Sequence, residues 1–249
     1  MLRDKVALVT AGSNKLGKAI ATALAGRGAQ VAVNHRDSGN DARALVAELE
    51  RDHGGAHVAV PGDVSERAQV EAMVATVEES LGPVQILVNN AGPFSRTPFL
   101  EMEVEEWDRI VDSNLKAVYL CTRTVAPGMR DAGWGRVVNI SAVSAFVRNR
   151  SVYGLAKSAI NNLTEELALE LGPSITVNSV APGQIEESLA EMAGFDPAWA
   201  KQVVDATPLG RLVTRSEIGE LVATMCTPVF DMITGAVITV DGGLRLPRF

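Results

Sequence analysis

The chain has 249 residues, of which 47% are hydrophobic, so it can bury a substantial core and has a length common for one-domain α/β proteins. Its formal net charge of −7 argues against nucleic acid and anionic membranes as partners and favours a small-molecule partner. The N-terminus enters a strand pattern without a signal peptide, and no apolar run reaches the ~18 residues that span a bilayer. We therefore expect a soluble protein of the cytoplasm.

Cysteine and histidine positions give no sign of a metal site. Cys121 and Cys226 lie in apolar helical patterns without metal-ligand spacing. His53 and His57 flank a glycine turn, and no third ligand accompanies them. We expect two buried thiols in a reducing compartment and no bound metal.

The first predicted elements are a strand, a turn and a helix. Val6–Val9 is a continuous apolar run, typical of a strand buried on both faces of a parallel sheet. A small-residue turn at 10–17 follows, and an alanine-rich helix begins at Lys18. Backbone N–H groups and the helix dipole favour a pyrophosphate at such a junction. The sequence therefore predicts a dinucleotide site with contacts from the turn residues Ala11, Ser13, Asn14, Lys15, Leu16 and Gly17.

The end of the second predicted strand, 30–34, bears on the choice of dinucleotide. An acid at this point would bind the ribose 2′-hydroxyl and repel a 2′-phosphate, but the chain has Asn34. Arg36, together with Lys15, can hold a 2′-phosphate by charge-assisted hydrogen bonds, although Asp37 beside it weakens the inference. We predict NADP(H) in preference to NAD(H), with His35 at the edge of the ribose site.

Helices and strands then alternate regularly. A helical pattern at 40–52 precedes a strand pattern at 57–60, and a second helical pattern at 66–81 precedes a strand pattern at 86–89. This alternation predicts an α/β fold built on a doubly wound parallel sheet, with the ligand at the carboxyl ends of the strands.

Tyr153 and Lys157 are four residues apart in a helical pattern, so the ammonium group can lie beside the phenol. A nearby cation favours the phenolate, whose ordinary pKa is near ~10, and would let Tyr153 exchange a proton close to neutrality. The spacing alone is weak evidence, because most such pairs on surface helices are solvated.

Several motifs follow one another in a particular order and spacing: the turn at 10–17, Asp63-Val64, Asn89-Asn90-Ala91-Gly92, Asn114, Tyr153 with Lys157, the segment 178–183 (NSVAPG) and Asp241-Gly242-Gly243. Through these motifs the chain resembles a classical short-chain dehydrogenase/reductase, of the 3-oxoacyl reductase type, over nearly its whole length. The resemblance implies a nicotinamide-dependent oxidoreductase with a single Rossmann-type domain, 1–249, that forms a homotetramer or a dimer.

The resemblance also implies roles for individual residues. Tyr153 would exchange the proton with the substrate oxygen, Lys157 would bind the nicotinamide ribose and lower the pKa of the phenol, and Asn114 would order a water behind the lysine. The remaining roles concern the dinucleotide: Asp63 and Val64 at the adenine, Asn90, Ala91 and Gly92 along the adenosine, and Pro182, Gly183 and Ile185 at the carboxamide.

The turn departs from the family pattern at two glycine positions. Ala11 occupies the first, and we expect the adjacent Gly12 to supply the backbone freedom. Lys15 occupies the second, where its side chain must either point away from the pyrophosphate or lie across it.

The usual catalytic serine is also missing. Ala142 stands at its aligned place in the sequence 139–145 (NISAVSA), and the segment from there to Tyr153 is about two residues shorter than is common. Ser141 and Ser144 are both candidates to replace it. Strand alternation points Ser141 to the opposite side from Ala142, whereas Ser144 lies in a loop; the residues do not decide between them.

We expect a substrate lid at about 184–207. Glu187 stands where the family often has a threonine that binds the carboxamide, and Glu186 and Glu191 add further acids. They are either solvated or recognise a positive or strongly hydrogen-bonding substrate group. Apolar residues would line the lid and two arginines would lie near its mouth: Met192, Phe195, Trp199 and Val203, and Arg148 and Arg150.

Two functions of different class follow. The first is an NADPH-dependent reductase of a 3-oxoacyl or cyclic ketone substrate, with tyrosine as the general acid. The second is a redox-impaired protein that keeps the fold as a binding or regulatory module, because fold alone does not fix function. Asn114, Tyr153 and Lys157 favour the enzyme, whereas Lys15, Ala142 and Glu187 favour the alternative.

Overall fold

A computed structural model describes residues 1–147, 151–191 and 197–246, apart from the side chain of Pro197. Predictions for Arg148, Arg150, Met192 and Phe195 lie outside the described residues. Within this part of the chain, seven parallel strands form one sheet in the order β3-β2-β1-β4-β5-β6-β7. The strands are β1 Val6–Val9, β2 Gln30–His35, β3 Val58–Pro61, β4 Val84–Asn89, β5 Gly135–Ile140, β6 Ile175–Pro182 and β7 Val237–Val240.

Helices cover both faces of this sheet. Their bounds are α1 Lys15–Gly26, α2 Gly39–His53, α3 Arg67–Leu81, α4 Val104–Val111, α5 Ala117–Asp131, α6 Val152–Leu171, α7 Glu186–Glu191, α8 Pro197–Asp205 and α9 Arg215–Met225.

The centre of the sheet is buried on both faces, because a central strand such as β1 is a continuous apolar run rather than an alternating one. All four residues of β1 are buried. Ala7 and Val9 pack with α1 and α9 on one face, and Leu8 packs with α3 and α5 on the other. The predicted α/β class with a doubly wound parallel sheet is confirmed.

The strand order reverses between β1 and β4, the neighbours at the centre of the sheet. Ligands of open α/β sheets bind at such a switch point, outside the carboxyl ends of the strands. This is where the predicted site residues of the first half of the chain converge.

Two helices differ from the predicted ones. The first helix begins at Lys15 rather than at Lys18. The helical pattern around Asn114 contains a π-helical turn, Asp112–Lys116, between α4 and α5. No helix in the described ranges is both long and apolar enough to cross a membrane.

Candidate active site

A cavity of about 480 Å³ opens at the carboxyl ends of β1, β2 and β4. It joins residues that are far apart in sequence, because parallel strands all end at the same edge of the sheet. Many of the predicted cofactor-binding residues line it: Ala11, Ser13, Asn14, His35, Arg36, Asp63, Val64, Ala91 and Gly92.

The turn at the base of this cavity takes its shape from two residues that are not glycine. Ala11 has a φ of 47° and Lys15 a φ of 50°, both in the left-handed region. The prediction that Gly12 would supply the backbone freedom is wrong. Gly12 is needed for close packing instead, since a Cβ there would lie 2.9 Å from the Val9 carbonyl oxygen.

Gly17 allows the closest backbone approach in the turn. A Cβ on Gly17 would lie 2.1 Å from the Ala11 carbonyl oxygen, which is backbone and has little freedom to move. The turn is therefore folded tightly against the first turn of α1, as a pyrophosphate cradle requires.

Asn34 supports the turn in a way that sequence reasoning missed. Its Oδ1 accepts a hydrogen bond from the Ala11 N–H at 3.1 Å, and its backbone oxygen accepts one from the Gly12 N–H at 2.8 Å. Asn90 supports the other side by donating from Nδ2 to the Thr10 carbonyl oxygen at 3.0 Å. These contacts form because the fold brings the ends of β2 and β4 next to the turn after β1, which the sequence alone does not show.

The start of α1 offers hydrogen-bond donors to an anion. The first described intrahelical bond there runs from the Lys18 N–H to the Asn14 carbonyl oxygen at 3.1 Å, so the N–H groups of Lys15, Leu16 and Gly17 precede the helical ladder. Asn14 makes no side-chain capping bond to them. These N–H groups, at the positive end of the helix dipole, are the donor set that a pyrophosphate needs.

The Lys15 side chain does not line the cavity at the ends of β1, β2 and β4. Its Nζ lies 3.8 Å from a carboxylate oxygen of Glu191 in α7, and the side chain is largely exposed. This contact directs the Lys15 side chain towards α7.

Arg36 lies at the edge of the cavity between two acids. Its Nε donates to Asp37 at 2.7 Å, and its Nη1 is 3.7 Å from an oxygen of Asp63. The hydrogen bond from Arg36 to Asp37 raises the pKa of the guanidinium. Burial acts to raise the pKa of Asp63, but hydrogen bonds from Ser65 and the charge of Arg36 outweigh it, and the net shift is downward.

Tyr153 and Lys157 stand in the first two turns of α6. Ser151 fixes the start of this helix by accepting a hydrogen bond from the Gly154 N–H at 3.2 Å. The Lys157 ammonium donates to the Ile140 carbonyl oxygen at 2.7 Å and lies 5.4 Å from the centroid of the Tyr153 ring. The helical spacing brings the two groups together as predicted.

The pKa values of this pair shift opposite to the prediction. Burial raises the pKa of Tyr153 to about 12 and lowers the pKa of Lys157 to about 7. The prediction that the lysine lowers the phenol pKa is wrong for the protein without ligands. The reason is that both groups lose water, which disfavours the charged form of each, and this outweighs their mutual attraction.

Asn114 is completely buried in the π-helical turn and faces Gly92. Its Nδ2 donates to the carbonyl oxygens of Pro93 and Ile110, each at 3.0 Å, while its Oδ1 is buried and has no hydrogen-bond partner among the described residues. Gly92 has a φ of 155°, and a Cβ there would lie 2.2 Å from Oδ1. A π-helical turn is common at functional sites, and a buried acceptor without a protein partner is a place where a water can bind.

The two candidate serines differ in their surroundings. Ser141 is buried, and its hydroxyl donates to the Lys157 carbonyl oxygen at 3.1 Å, so it anchors α6. Ser144 lies in a single 3₁₀ turn, Val143–Ala145, and is half-buried. Its hydroxyl has no hydrogen-bond partner among the described residues and is free to serve a ligand.

The segment after β6 is held by the last strand. The Gly183 N–H donates to the Val240 carbonyl oxygen at 3.0 Å, next to Pro182 at the end of β6. Gly183 also permits close packing, because a Cβ would lie 2.8 Å from that of Asp241. Ile185 forms an isolated parallel bridge with Val213.

Glu187 and Glu191 of α7 bind a residue of the protein rather than a substrate group, whereas Glu186 is exposed, as the solvated interpretation expects. Both oxygens of Glu187 accept from the Arg215 N–H at 3.1 Å. The two oxygens of Glu191 accept from the two terminal nitrogens of Arg215, each at 2.7 Å. Arg215 carried no signal in the sequence, because its partners are 24 and 28 residues away.

Phe94 is a second residue that sequence reasoning missed. Its ring is edge-on to Tyr153, with 4.9 Å between the ring centroids, and about half of it is exposed. It provides an apolar surface directly beside the phenol.

The chain matches the profile of a family described as "Enoyl-(Acyl carrier protein) reductase" over residues 10–245. The chain belongs to the short-chain dehydrogenase/reductase family of oxidoreductases. It is 35% identical over 247 residues to a 3-oxoacyl-[acyl-carrier-protein] reductase of Synechocystis, covering 98% of each chain.

Solved structures of similar proteins show the same fold. A gluconate 5-dehydrogenase from Burkholderia cenocepacia, in complex with NADP and tartrate, has a TM-score of 0.92 and 30% identity, covering 99% of this chain and 97% of its own. A 7α-hydroxysteroid dehydrogenase, complexed with NADH and 7-oxoglycochenodeoxycholic acid, has a TM-score of 0.91 and 29% identity, covering 97% and 94%.

Proposed function

We propose that this protein is an NADP(H)-dependent reductase that converts a ketone to an alcohol, with Tyr153 as the general acid. The observation that carries the proposal is the juxtaposition of two parts. The Tyr153–Lys157 pair in α6 and the cavity beside Arg36 lie at the carboxyl ends of neighbouring strands. Binding and proton transfer are thus available at one edge of the sheet.

The described residues fit a dinucleotide. The N–H groups that begin α1 would hold the pyrophosphate, and Gly17 keeps Cβ atoms out of the cradle. Asp63 and Val64 would border the adenine, with Asn90, Ala91 and Gly92 along the adenosine. Pro182, Gly183 and Ile185 would hold the carboxamide without Glu187, which is engaged elsewhere.

The preference for NADP(H) rests on Arg36 and its surroundings. The guanidinium is 62% exposed and can turn from Asp37 to a 2′-phosphate, which is a stronger partner for its planar fork. Ser13 and Ser38 share a hydrogen bond of 2.6 Å in the same cavity and offer two hydroxyl donors. Asp37 and Asp63 would balance the charge of Arg36 when no phosphate is bound.

When bound, the dinucleotide would supply the hydride that the carbonyl carbon receives. Tyr153, whose pKa of about 12 keeps it protonated near neutral pH, donates its proton to the carbonyl oxygen. Lys157, whose ammonium donates to the Ile140 carbonyl oxygen, would bind the nicotinamide ribose and return a proton to the phenolate. Asn114, with its unpaired Oδ1, would hold the water that connects the lysine to solvent.

Ser144 would donate a hydrogen bond to the carbonyl oxygen as negative charge develops there. We favour it over Ser141, since the Ser141 hydroxyl is already used to hold α6. Phe94 beside Tyr153 suits an apolar substrate, and we propose a 3-oxoacyl or cyclic ketone, with residues 184–207 as the lid.

We also propose that the protein is a cytoplasmic homodimer or homotetramer. Several large apolar side chains on α4, α5 and α6 are exposed and would be covered in an assembly. Cys121 and Cys226 are buried free thiols, which suits a reducing compartment. The exposed apolar residues include Trp107, Tyr119, Leu155 and Leu169.

The Tyr153→Phe variant tests the proposal. We expect turnover of NADPH with a panel of 3-oxoacyl thioesters and cyclic ketones to fall by about 10²–10⁴-fold, because the proton donor is lost. The NADPH dissociation constant, from fluorescence titration, should stay within about threefold, since the phenol adds little to binding. Tyr119→Phe, which changes the chain's other tyrosine, is the matched control. Retained turnover in Tyr153→Phe would contradict the proposed role.

A further inference from the structure

Arg215 is the first residue of α9, and its side chain reaches across to α7. Its two terminal nitrogens donate to the two oxygens of Glu191, each at 2.7 Å, in the parallel geometry that a guanidinium and a carboxylate favour. One of them also donates to the Ser188 hydroxyl at 3.2 Å. The Arg215 side chain is only 13% exposed, although Glu191 is 45% exposed.

The backbone of Arg215 binds the same helix. Its N–H donates to both oxygens of Glu187 at 3.1 Å. Residues 187 and 191 are one helical turn apart and face the same way, so one arginine holds both ends of that face. The start of α9 is itself fixed by a capping box between Thr214 and Glu217.

Helix α9 is a rigid support for this contact. It packs with its backbone against α1, since a Cβ on Gly219 would lie 2.7 Å from the Ala19 carbonyl oxygen. Helix α1 begins at the glycine-rich turn, and the Lys15 ammonium adds a weaker contact to Glu191 at 3.8 Å. Through Arg215, α7 is therefore connected to the helix that would hold the pyrophosphate.

We propose that Arg215 is a positioning residue for substrate binding, which fastens α7 to α9 before any dinucleotide or substrate binds. The inference rests on the proposed function in that it takes α7 as part of the substrate lid. Glu187 is at the position expected to contact the carboxamide, and here it contacts the protein. The anchor of α7 is therefore built into the chain rather than supplied by the cofactor.

Hydrogen exchange of the peptide that covers α7 tests the anchor without requiring activity. In the ligand-free wild type we expect protection of these amides, and NADPH should change it by less than about twofold. Arg215→Ala should speed their exchange by about tenfold or more, with an intermediate effect in Arg215→Lys, because an ammonium cannot bind both carboxylate oxygens in parallel. Glu191→Gln, which leaves α9 intact, should also speed exchange.

Arg27→Ala is the matched control, because Arg27 pairs with Glu220 of α9 at 2.9 Å and makes no described contact with α7. It should leave the exchange of α7 unchanged. Wild-type α7 that becomes protected only when NADPH is added would overturn the proposal. Unchanged exchange in both Arg215→Ala and Glu191→Gln would do the same.

Kinetics separate positioning from a general loss of stability. Arg215→Ala should raise the KM for the ketone by about tenfold and leave kcat within about threefold, with partial recovery in Arg215→Lys. A fall in kcat at constant KM would contradict a positioning role. If no ketone is turned over by the wild type, the proposed function fails, while the exchange data still decide whether Arg215 anchors α7.

Discussion

The turn at 10–17 and the catalytic corner, by which we mean Ala142, Ser144, Tyr153 and Lys157, both depart from the family pattern. The two departures differ in kind. In the turn, Ala11 and Lys15 adopt left-handed backbone conformations at the positions of the family's glycines. At the catalytic corner, Ala142 lacks the hydroxyl of the family's serine, and a different side chain must supply that donor; we propose Ser144.

The two regions therefore tolerate different substitutions. The turn binds through backbone N–H groups, so a side chain is acceptable wherever it points outward, as Lys15 does. The catalytic corner acts through side-chain donors, so its chemistry depends on particular atoms. Four substitutions test this contrast, beginning with the largest expected effect.

Removing the replacement donor should have the largest effect of the four. We expect Ser144→Ala to lower kcat by about 10²–10³, or roughly 3–4 kcal/mol of transition-state stabilisation, in a steady-state assay with NADPH. Ser141→Ala is the control, and it should cost about 0.5–1.5 kcal/mol of stability through its lost bond to the Lys157 carbonyl oxygen, with little change in kcat. The reverse pattern would assign the donor to Ser141.

A Cβ added at Gly17 should be poorly tolerated, whereas the side chain of Lys15 is tolerated because it points outward. Gly17→Ala would place a carbon 2.1 Å from the Ala11 carbonyl oxygen, and we expect it to cost about 1–3 kcal/mol in urea unfolding and to weaken NADPH binding. Gly26→Ala, at the other end of α1, meets no atom closer than 3.6 Å and should change stability by less than about 1 kcal/mol. Equal stability of the two variants would refute the close approach in the turn.

The buried Lys157 should make the free energy of unfolding of the protein depend on pH. Its pKa is lowered to about 7 by burial, so between pH 7 and its ordinary value the folded state binds fewer protons than the unfolded state. Stability then rises with pH in this window, by up to about 1.4 kcal/mol per pH unit.

The measurement is the free energy of unfolding of the wild type and of Lys157→Met between pH 7 and 9. The advantage of the wild type should grow with pH, whereas Lys18→Met, which removes an ion pair with Glu48, should show no such growth. A constant difference would mean that Lys157 keeps its proton when folded.

The smallest of the four effects is expected when glycine replaces Lys15 in the turn. Lys15→Gly removes the cost of a left-handed side-chain residue, about 1–2 kcal/mol, and adds part of it back as chain entropy in the unfolded state. Thermal unfolding should show a stabilisation of about 0.5–1 kcal/mol. Destabilisation would mean that the Lys15–Glu191 contact outweighs the strain.

Sequence reasoning reached the fold because apolar runs such as Val6–Val9 determine buried parallel strands with little ambiguity. It also brought Tyr153 and Lys157 together, since helical spacing fixes that contact. It missed the left-handed Ala11, because the strain is imposed by the approach of Gly17 to the turn.

Two other features were predicted wrongly, and both depend on tertiary structure. The pairing of Glu187 with Arg215 depends on how α7 and α9 pack, which no local pattern encodes. The direction of the pKa shifts depended on whether burial or charge dominates, and the sequence does not show how much water Tyr153 and Lys157 lose.

Titration of the purified protein with NADPH and with NADH, followed by tryptophan fluorescence, tests the proposed 2′-phosphate site at Arg36. We expect tighter binding of NADPH in the wild type. In Arg36→Ala, NADPH affinity should fall by about 10–100-fold through the loss of charged hydrogen bonds to the 2′-phosphate, while NADH affinity stays within about threefold. Equal losses for both dinucleotides, or no binding of either by the wild type, would contradict the account.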